Sequence, residues 1–254
     1  MVSAMRSGVE IAPDCVVVRF TGALDRRAVV HVRRILRAYL VRPGRVIVDV
    51  SEVGLEWPPG VDVFPAVLTA AGGWPVACLV LSGPNARMLE ELEARGVPPM
   101  VPVVGEGESA ERRLLMRPTR VYRQMHLPPD LGAPRAAREF LRQTCAAWAD
   151  EACVPAAAVV VTELVTNVVE HAGTPCRLGL ALDRSGFEVT VRDFRPGPAP
   201  RPRPRPVEAR RGRGLHLVAS LADEWDTVRH TDGKAVWVRL AGCGREGQPG
   251  MSVS

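Results

Sequence analysis

Strand-like and helix-like segments alternate along the first half of the chain, and this pattern restricts the possible folds more than any other. Short runs rich in β-branched residues predict strands, and longer segments with helical periodicity separate them. The predicted strands are 16–20, 45–50, 77–81 and 101–104, and the predicted helices are 26–40, 60–71, 86–95 and a short one from Ser109. The alternation predicts an α/β domain in which helices cover a sheet.

The second half has a different order of elements, which indicates a second domain. The predicted elements are a strand at 122–127, helices at 134–148 and 155–171, strands at 177–182 and 187–192, a helix at 214–222, and strands at 224–229 and 235–240. Between the strand at 187–192 and the helix at 214–222, a proline- and arginine-rich tract at 194–211 excludes regular structure. We expect a first domain with its linker at 1–117, a second domain at 118–241 and a disordered tail at 242–254.

Composition excludes several classes of protein. The chain has 254 residues, 46% of them hydrophobic, which is enough for two small cores. The N-terminus lacks the apolar region of a signal peptide, and no apolar stretch approaches the ~20 residues of a membrane span. We therefore expect a soluble cytoplasmic protein that binds no membrane. Six cysteines without a C-x-x-C pair predict neither disulfides nor a zinc site.

The charge pattern gives little support to a nucleic-acid function. The net charge is +5, and Lys234 is the only lysine among 33 basic residues. That arginine bias is typical of a GC-rich genome. The basic residues are dispersed except for a cluster at 201–213, and this cluster lacks the interleaved aromatic residues that stack on bases. A nucleic-acid binder is therefore the weakest of the alternatives.

The helix at 155–171 carries a short stripe of polar side chains. At ~100° per residue, Glu163, Asn167, Glu170 and His171 fall on one side, opposite the apolar residues that would pack on a sheet. An amphipathic helix that exposes its polar face to water would have the same pattern, but 154–172 contains no arginine in an arginine-rich chain. A carboxylate and an amide one turn apart suit phosphoryl transfer, because the amide oxygen is a hard ligand for Mg²⁺ and the carboxylate accepts a proton.

Three ordered motifs resemble one family. Residues 163–172, ELVTNVVEHA, resemble the N box of the GHKL ATPase and kinase superfamily, in the form found in anti-sigma-factor serine kinases of Gram-positive bacteria. Residues 189–197, VTVRDFRPG, resemble its strand that ends in Asp before glycines. Residues 211–218, RGRGLHLV, resemble the glycine-rich end of its nucleotide lid. The resemblance covers about 125–240 and implies a Bergerat (GHKL) α/β sandwich. The protein that it implies is actinobacterial in character.

The resemblance also implies roles for individual residues. Glu163 would be the general base, Asn167 would hold Mg²⁺ between the phosphates of ATP, and Asp193 would accept a hydrogen bond from the adenine amino group. The implied nucleotide-binding residues are Asn167, His171, Asp193, Gly197, Gly212, Arg213, Gly214 and Leu215. Glycines 212 and 214 would present backbone N–H groups to phosphate, although an ordinary loop-to-helix turn would also explain them.

The sequence departs from the family pattern at two places that bear on the nucleotide. Arg195 stands where the first glycine after Asp193 is expected, and a proline follows it. Ala235 stands where relatives commonly carry a threonine that supports adenine recognition. Both changes are expected to weaken nucleotide affinity. In the proline-rich lid, an arginine such as Arg213 either steadies the γ-phosphate or is simply solvated.

The first half resembles a STAS domain, the fold of anti-sigma-factor antagonists. The resemblance rests on Gly22-Ala-Leu-Asp25 and on the strand that ends in Asp49-Val-Ser51, and it implies a mixed sheet with helices over about residues 8–114. In antagonists the following turn carries an Asp-Ser-Ser/Thr-Gly motif whose first serine is phosphorylated. Here 57–60 reads Trp-Pro-Pro-Gly, and neither Pro58 nor Pro59 has a hydroxyl. The prolines also fit the first turn of a helix.

Two functions follow from these resemblances. The first is an anti-sigma-factor serine kinase that uses Mg-ATP, phosphorylates a separate STAS antagonist, controls a sigma factor and forms a homodimer. The second is a non-catalytic, nucleotide-gated protein-binding module, which Arg195, Ala235 and the missing hydroxyl favour. The sequence does not name the sigma factor, the antagonist or the signal.

Overall fold

The chain forms two compact units that divide between Tyr122 and Arg123. The computed structural model describes residues 4–41, 44–105, 108–195 and 213–241, and the side chains of 213–215 are outside that description. The predicted tail at 242–254 and most of the proline- and arginine-rich tract also lie outside it.

The N-terminal unit is a five-stranded mixed sheet with helices, as the strand and helix alternation predicts. Its elements are β1 (Arg6–Ile11), β2 (Val16–Leu24), α1 (Ala28–Tyr39), β3 (Gly44–Leu55), a 3-10 helix (Pro58–Asp62), α2 (Val63–Ala70), β4 (Ala77–Ser82), α3 (Ala86–Ala94), β5 (Val103–Val104) and α4 (Ala110–Leu114). The strands lie in sequence order; β1 is antiparallel to β2 and the other pairs are parallel. Parallel neighbours require crossover connections, and α1, α2 and α3 supply them.

Alternation along the central strands buries side chains on both faces of this sheet. Val46 and Val48 belong to the larger core, with residues of α1, α2 and α3, whereas Ile47 belongs to a second cluster with Val80 and with Leu114 of α4. Strands buried on both faces read as continuous hydrophobic runs, which explains why β3 and β4 were predicted from sequence.

The C-terminal unit is an antiparallel sheet with helices. Its elements are β6 (Val121–Leu127), α5 (Ala133–Trp148), α6 (Val154–Asn167), a π-helical segment (Val168–Ala172), β7 (Cys176–Asp183), β8 (Gly186–Asp193), α7 (Arg213–Leu221), β9 (Glu224–His230) and β10 (Gly233–Leu240). The strand order is β6-β7-β8-β10-β9. The pairs β7/β8, β8/β10 and β10/β9 are antiparallel. Hence β10 lies between β8 and β9, and the end of β8 meets the start of β10.

Helix α6 packs against α5, α7, β8 and β10. Its apolar arc includes Val161, Leu164 and Val165, all buried, as the helical periodicity predicts. The α6 and π-helical stretch together, Val154–Ala172, has 19 residues and a mean hydropathy of 1.2, which passes a length and composition test for a membrane span. Core helices of soluble proteins pass the same test, so this property alone does not indicate a membrane protein.

The cysteines correct one expectation. Cys15, Cys78, Cys145 and Cys176 carry free thiols. Cys153 is disulfide-bonded, so the expectation of no disulfide is wrong. Scattered spacing excludes a C-x-x-C motif but not a bond between cysteines distant in sequence.

Candidate functional site

The polar stripe of α6 lies where the sequence places it. Glu163 and Asn167 are half-buried, one turn apart, and the buried Leu164 and Val165 face the other way. Helix α6, which carries this stripe, packs against β8, and β8 ends in Asp193. The sequence spacing and the packing therefore bring one carboxylate and one amide to the helix beside the Asp193 strand.

The helix changes its geometry directly after Asn167. Val168–Ala172 is π-helical, and the N–H group of Gly173, at φ 63°, closes it on the carbonyl of Val168. π-helical turns are wider than α-helical turns and recur at functional sites. The estimate of ~100° per residue therefore does not extend to Glu170 and His171, both of which are exposed.

Asp193 is a buried carboxylate at the C-terminal end of β8. Its side chain is 1% exposed. Oδ1 accepts hydrogen bonds from the backbone N–H groups of Lys234, at 3.2 Å, and Arg195, at 3.3 Å. Oδ2 lies 3.3 Å from Nζ of Lys234. A buried charge needs hydrogen bonds and an opposite charge, and Asp193 has both.

Gly233 allows β10 to approach the end of β8 closely. A Cβ atom at this position would lie 2.2 Å from the carbonyl oxygen of Asp193. Only a residue without a side chain fits there. Gly233 therefore fixes the start of β10, and with it Lys234, against Asp193.

Arg195 links the end of β8 to the end of the π-helical segment. Its Nη1 donates to the carbonyl of His171 and lies 3.5 Å from the carbonyl of Ala172. A cation at a helix C-terminus satisfies carbonyls that have no helical partner and interacts favourably with the helix dipole. The sequence identified Arg195 only as a departure from a glycine, and nothing in its local pattern predicts this contact across 24 positions.

Cys176 is a neighbour of Asp193 that the sequence analysis did not single out. The two residues are directly opposite each other in the β7/β8 pair. Burial, and then the negative charge of Asp193, raise the pKa of the Cys176 thiol to about 11. Cys176 is therefore a neutral thiol at physiological pH, and its pKa senses the Asp193 charge.

The predicted lid residues are described only in part. Gly197 and Gly212 lie outside the described residues, as does the rest of the lid tract. Arg213, Gly214 and Leu215 form the first turn of α7, which packs against α6. The sequence therefore placed a helix start correctly, and the phosphate-binding role of its residues stays a prediction.

In the N-terminal unit, Pro58 and Pro59 begin the 3-10 helix that follows β3. Trp57 precedes them in an extended conformation, and the guanidinium of Arg26 lies 5.5 Å from its ring centroid. Gly60 is buried, with the side chain of Leu24 3.0 Å from the position of an added Cβ. Proline is favoured in the first turn of a helix, which explains both prolines without a functional role. The turn has no hydroxyl at 58 or 59.

Comparisons with known proteins agree with the C-terminal fold. Residues 127–240 match the family model described as the histidine kinase-like ATPase domain. A comparison with curated protein sequences gives no match.

Two solved structures are similar to parts of the chain. The RsbU and RsbW domains of Rv1364c from Mycobacterium tuberculosis match with 18% identity and a TM-score of 0.37, over 48% of this chain and 33% of that one. The anti-sigma factor antagonist SpoIIAA in its unphosphorylated form matches with 20% identity and a TM-score of 0.34, over 44% of this chain and 100% of that one. This chain thus covers about a third of the length of the first of them.

The family match includes α6 with Glu163 and Asn167, β8 with Asp193, and β10 with Lys234. The antiparallel sheet, its covering helices and the buried aspartate at a strand end agree with it. Residues 127–240 of this chain are a histidine kinase-like ATPase domain.

Proposed function

We propose that residues 127–240 bind Mg-ATP and transfer its terminal phosphoryl group to a serine of a separate STAS-type antagonist, and thereby control a sigma factor in the cytoplasm. The observation that carries this proposal is the pairing of a half-buried Glu163–Asn167 stripe on α6 with the buried Asp193 on β8, inside a histidine kinase-like ATPase domain.

Asp193 is the residue that we assign to base recognition. A buried carboxylate at a strand end accepts hydrogen bonds strongly, and a nucleotide amino group is a suitable donor. His171, Gly197, Gly212, Arg213, Gly214 and Leu215 complete the proposed nucleotide-binding set.

Asn167 is the residue that we assign to the metal ion. Its half-buried amide supplies a hard, neutral oxygen of the kind that Mg²⁺ accepts. Among the described residues no three His, Cys, Asp or Glu side chains converge on one point. Mg²⁺ usually keeps several waters and takes one or two protein ligands together with phosphate oxygens, so a single amide ligand suffices for this assignment. The ion would neutralise charge between the phosphates.

Glu163 is the residue that we assign to proton transfer. Its carboxylate lies one turn before Asn167 on the same stripe of α6. It would accept the proton of the acceptor hydroxyl as the serine oxygen bonds to phosphorus and the bond to the leaving oxygen of ADP breaks. The acceptor would belong to another protein, because Pro58 and Pro59 have no hydroxyl to offer. We also propose a homodimer, on the sequence resemblance alone.

A matched pair of variants tests this assignment. The purified chain is incubated with labelled ATP, Mg²⁺ and a panel of serine-bearing STAS proteins, and phosphate transfer is measured beside nucleotide affinity. Glu163→Gln should lower transfer at least about 100-fold with little change in affinity, because the amide cannot accept the proton. Glu170→Gln, which removes an exposed carboxylate from the following turn, should retain transfer.

The second candidate is a nucleotide-gated binding module without catalysis. It is favoured by the departures from the kinase pattern: Arg195 and Ala235 beside the nucleotide site, and prolines without a hydroxyl at 58 and 59. Tight ATP binding by the wild type with no transfer to any acceptor would support this module and exclude the kinase. Equal transfer by wild type and Glu163→Gln would remove Glu163 from the mechanism.

A further inference from the structure

The two oxygens of Asp193 differ in the partners that they have. Oδ1 accepts two backbone N–H groups, from Arg195 and Lys234, which belong to the fold of the β8 and β10 ends. Oδ2 has one described partner, the ammonium of Lys234 at 3.3 Å. That ammonium is on a flexible side chain that is 27% exposed, so it can move without any change in the backbone.

An adenine amino group and an ammonium need the same acceptor. Both are N–H donors, but the ammonium is charged, and a charge-assisted hydrogen bond to a carboxylate is the stronger of the two. Because Asp193 is 1% exposed, its charge is poorly solvated and depends on Lys234 for compensation. A base that approaches Oδ2 therefore replaces a charged partner with a neutral one.

We propose that Lys234 competes with the nucleotide base for Asp193, so that the Lys234–Asp193 ion pair holds the base site closed and sets the affinity for ATP. This inference rests on the proposed role of Asp193 in base recognition. It assigns to Lys234 a function in specificity and regulation. The ion pair keeps the affinity of the site for ATP weak, and this affinity rises when another ligand or partner draws the ammonium away.

The affinity of Lys234→Met tests the proposal. Methionine keeps much of the length of the side chain but not the charge, so Oδ2 becomes free for the base. We expect Lys234→Met to bind ATP roughly 10-fold more tightly than the wild type does. The gain is modest because Lys234 is partly exposed, and solvent screens its ion pair with Asp193. Arg229→Met is the matched control, because Arg229 is the exposed cross-strand partner of Lys234 and its loss removes the same charge. This control should show no gain.

GTP separates competition from a general effect on charge. Guanine carries a carbonyl where adenine carries the amino group, and it cannot donate to Asp193 at that position. Lys234→Met should therefore leave GTP affinity unchanged or lower it. An equal gain for ATP and GTP would overturn the proposal, and so would weaker ATP binding by Lys234→Met, which would mean that Lys234 positions Asp193 instead of competing for it.

Lys234 is the only lysine, so its contact is measurable without nucleotide. Acylation by a succinimidyl ester, read by peptide mass spectrometry, reports its reactivity separately from the N-terminal amine. Asp193→Asn should raise the acylation rate several-fold, because Nζ of Lys234 lies 3.3 Å from Asp193 Oδ2 and loss of the carboxylate charge frees the amine to reach the reagent. An unchanged rate in a folded Asp193→Asn variant would overturn the proposal.

The two proposals fail in different ways. If wild type and Lys234→Met bind no ATP, the proposed function is wrong. If the wild type binds ATP and Lys234→Met binds it no better, only the competition is wrong. If ATP binds to Lys234→Met alone, both proposals are supported.

Discussion

Each of the two units has a strand end at which the family resemblance predicts a reactive group, and the two ends differ in what the structure has there. After β3, the N-terminal unit has Pro58 and Pro59 in the first turn of a 3-10 helix. At the end of β8, the C-terminal unit keeps the Asp193 carboxylate and pairs it with Lys234. The first strand end has no side-chain hydroxyl at 58 or 59. The second has a carboxylate that is covered by an ion pair, and we propose that this pair can open.

The difference shows that the fold and the chemistry of a strand end are specified separately. Both ends are held by a buried glycine, Gly60 in one unit and Gly233 in the other. The cores beneath them come from side chains that take no part in the chemistry. The N-terminal architecture therefore forms without a hydroxyl at 58 or 59, as expected when function depends on local sites on a shared fold.

The largest effect is expected for Gly233→Ala, compared with Gly60→Ala. At Gly233 the new Cβ would lie 2.2 Å from a backbone oxygen, which cannot move without separating β10 from β8. At Gly60 it would meet side-chain atoms and no backbone: those of Leu24 at 3.0 Å and of Val29 at 3.5 Å, which can shift. We expect losses of at least about 3 kcal/mol and of about 1–2 kcal/mol in the free energy of unfolding, measured by urea denaturation. Similar losses at both positions would contradict the close approach at Asp193.

A smaller effect is expected from the Cys176 thiol at alkaline pH. Its pKa in the folded chain, about 11, is above its ordinary value of 9.0. The folded state therefore binds the proton more tightly, and the stability that this contributes is complete below pH 9 and lost as the pH rises towards 11.

The measurement is the free energy of unfolding between pH 9 and 11, for the wild type and Cys176→Ala. The variant should lose about 1–2 kcal/mol less over that interval. Cys15→Ala is the comparison, because the pKa of the half-buried Cys15 is raised by its burial and then by Glu111, without a contribution from Asp193. A Cys176→Ala curve parallel to the wild type would mean that the pKa of this thiol is not raised in the folded chain.

The smallest effect is expected for Pro58→Ser, which returns a hydroxyl to the N-terminal strand end. The substitution should cost about 0.5–1 kcal/mol, chiefly because the unfolded chain gains freedom when the ring is lost. Pro58→Ala should cost the same, and thermal unfolding of both variants provides the comparison. A loss several times larger for serine would mean that this turn excludes a hydroxyl for structural reasons, and the contrast between the two units would weaken.

Sequence patterns predicted the elements whose signals are local. The periodicity of α6 and the strand–turn–strand pattern of β7 and β8 each lie within a short window, and so does the spacing of Glu163 and Asn167. The position of Asp193 at a strand end was predicted for the same reason.

The sequence analysis missed or shortened elements that form by pairing with residues distant in the chain. Strand β1 is polar and mostly exposed, and it exists because it pairs with β2. Strand β3 continues past Val50 because its pairing with β2 resumes after a register shift near Arg19. The Lys234 N–H reaches Asp193 across 41 positions, so no local pattern reveals it.

The most direct test of the account is a calorimetric titration of ATP, with and without Mg²⁺, into the wild type and Asn167→Ala, each also in the Lys234→Met background. With Mg²⁺ we expect Asn167→Ala to bind at least about 10-fold more weakly, and Thr166→Ala, its neighbour on α6, to bind normally. Without Mg²⁺ the difference should vanish. No heat of ATP binding in either background, or an equal loss with and without the ion, would contradict the account.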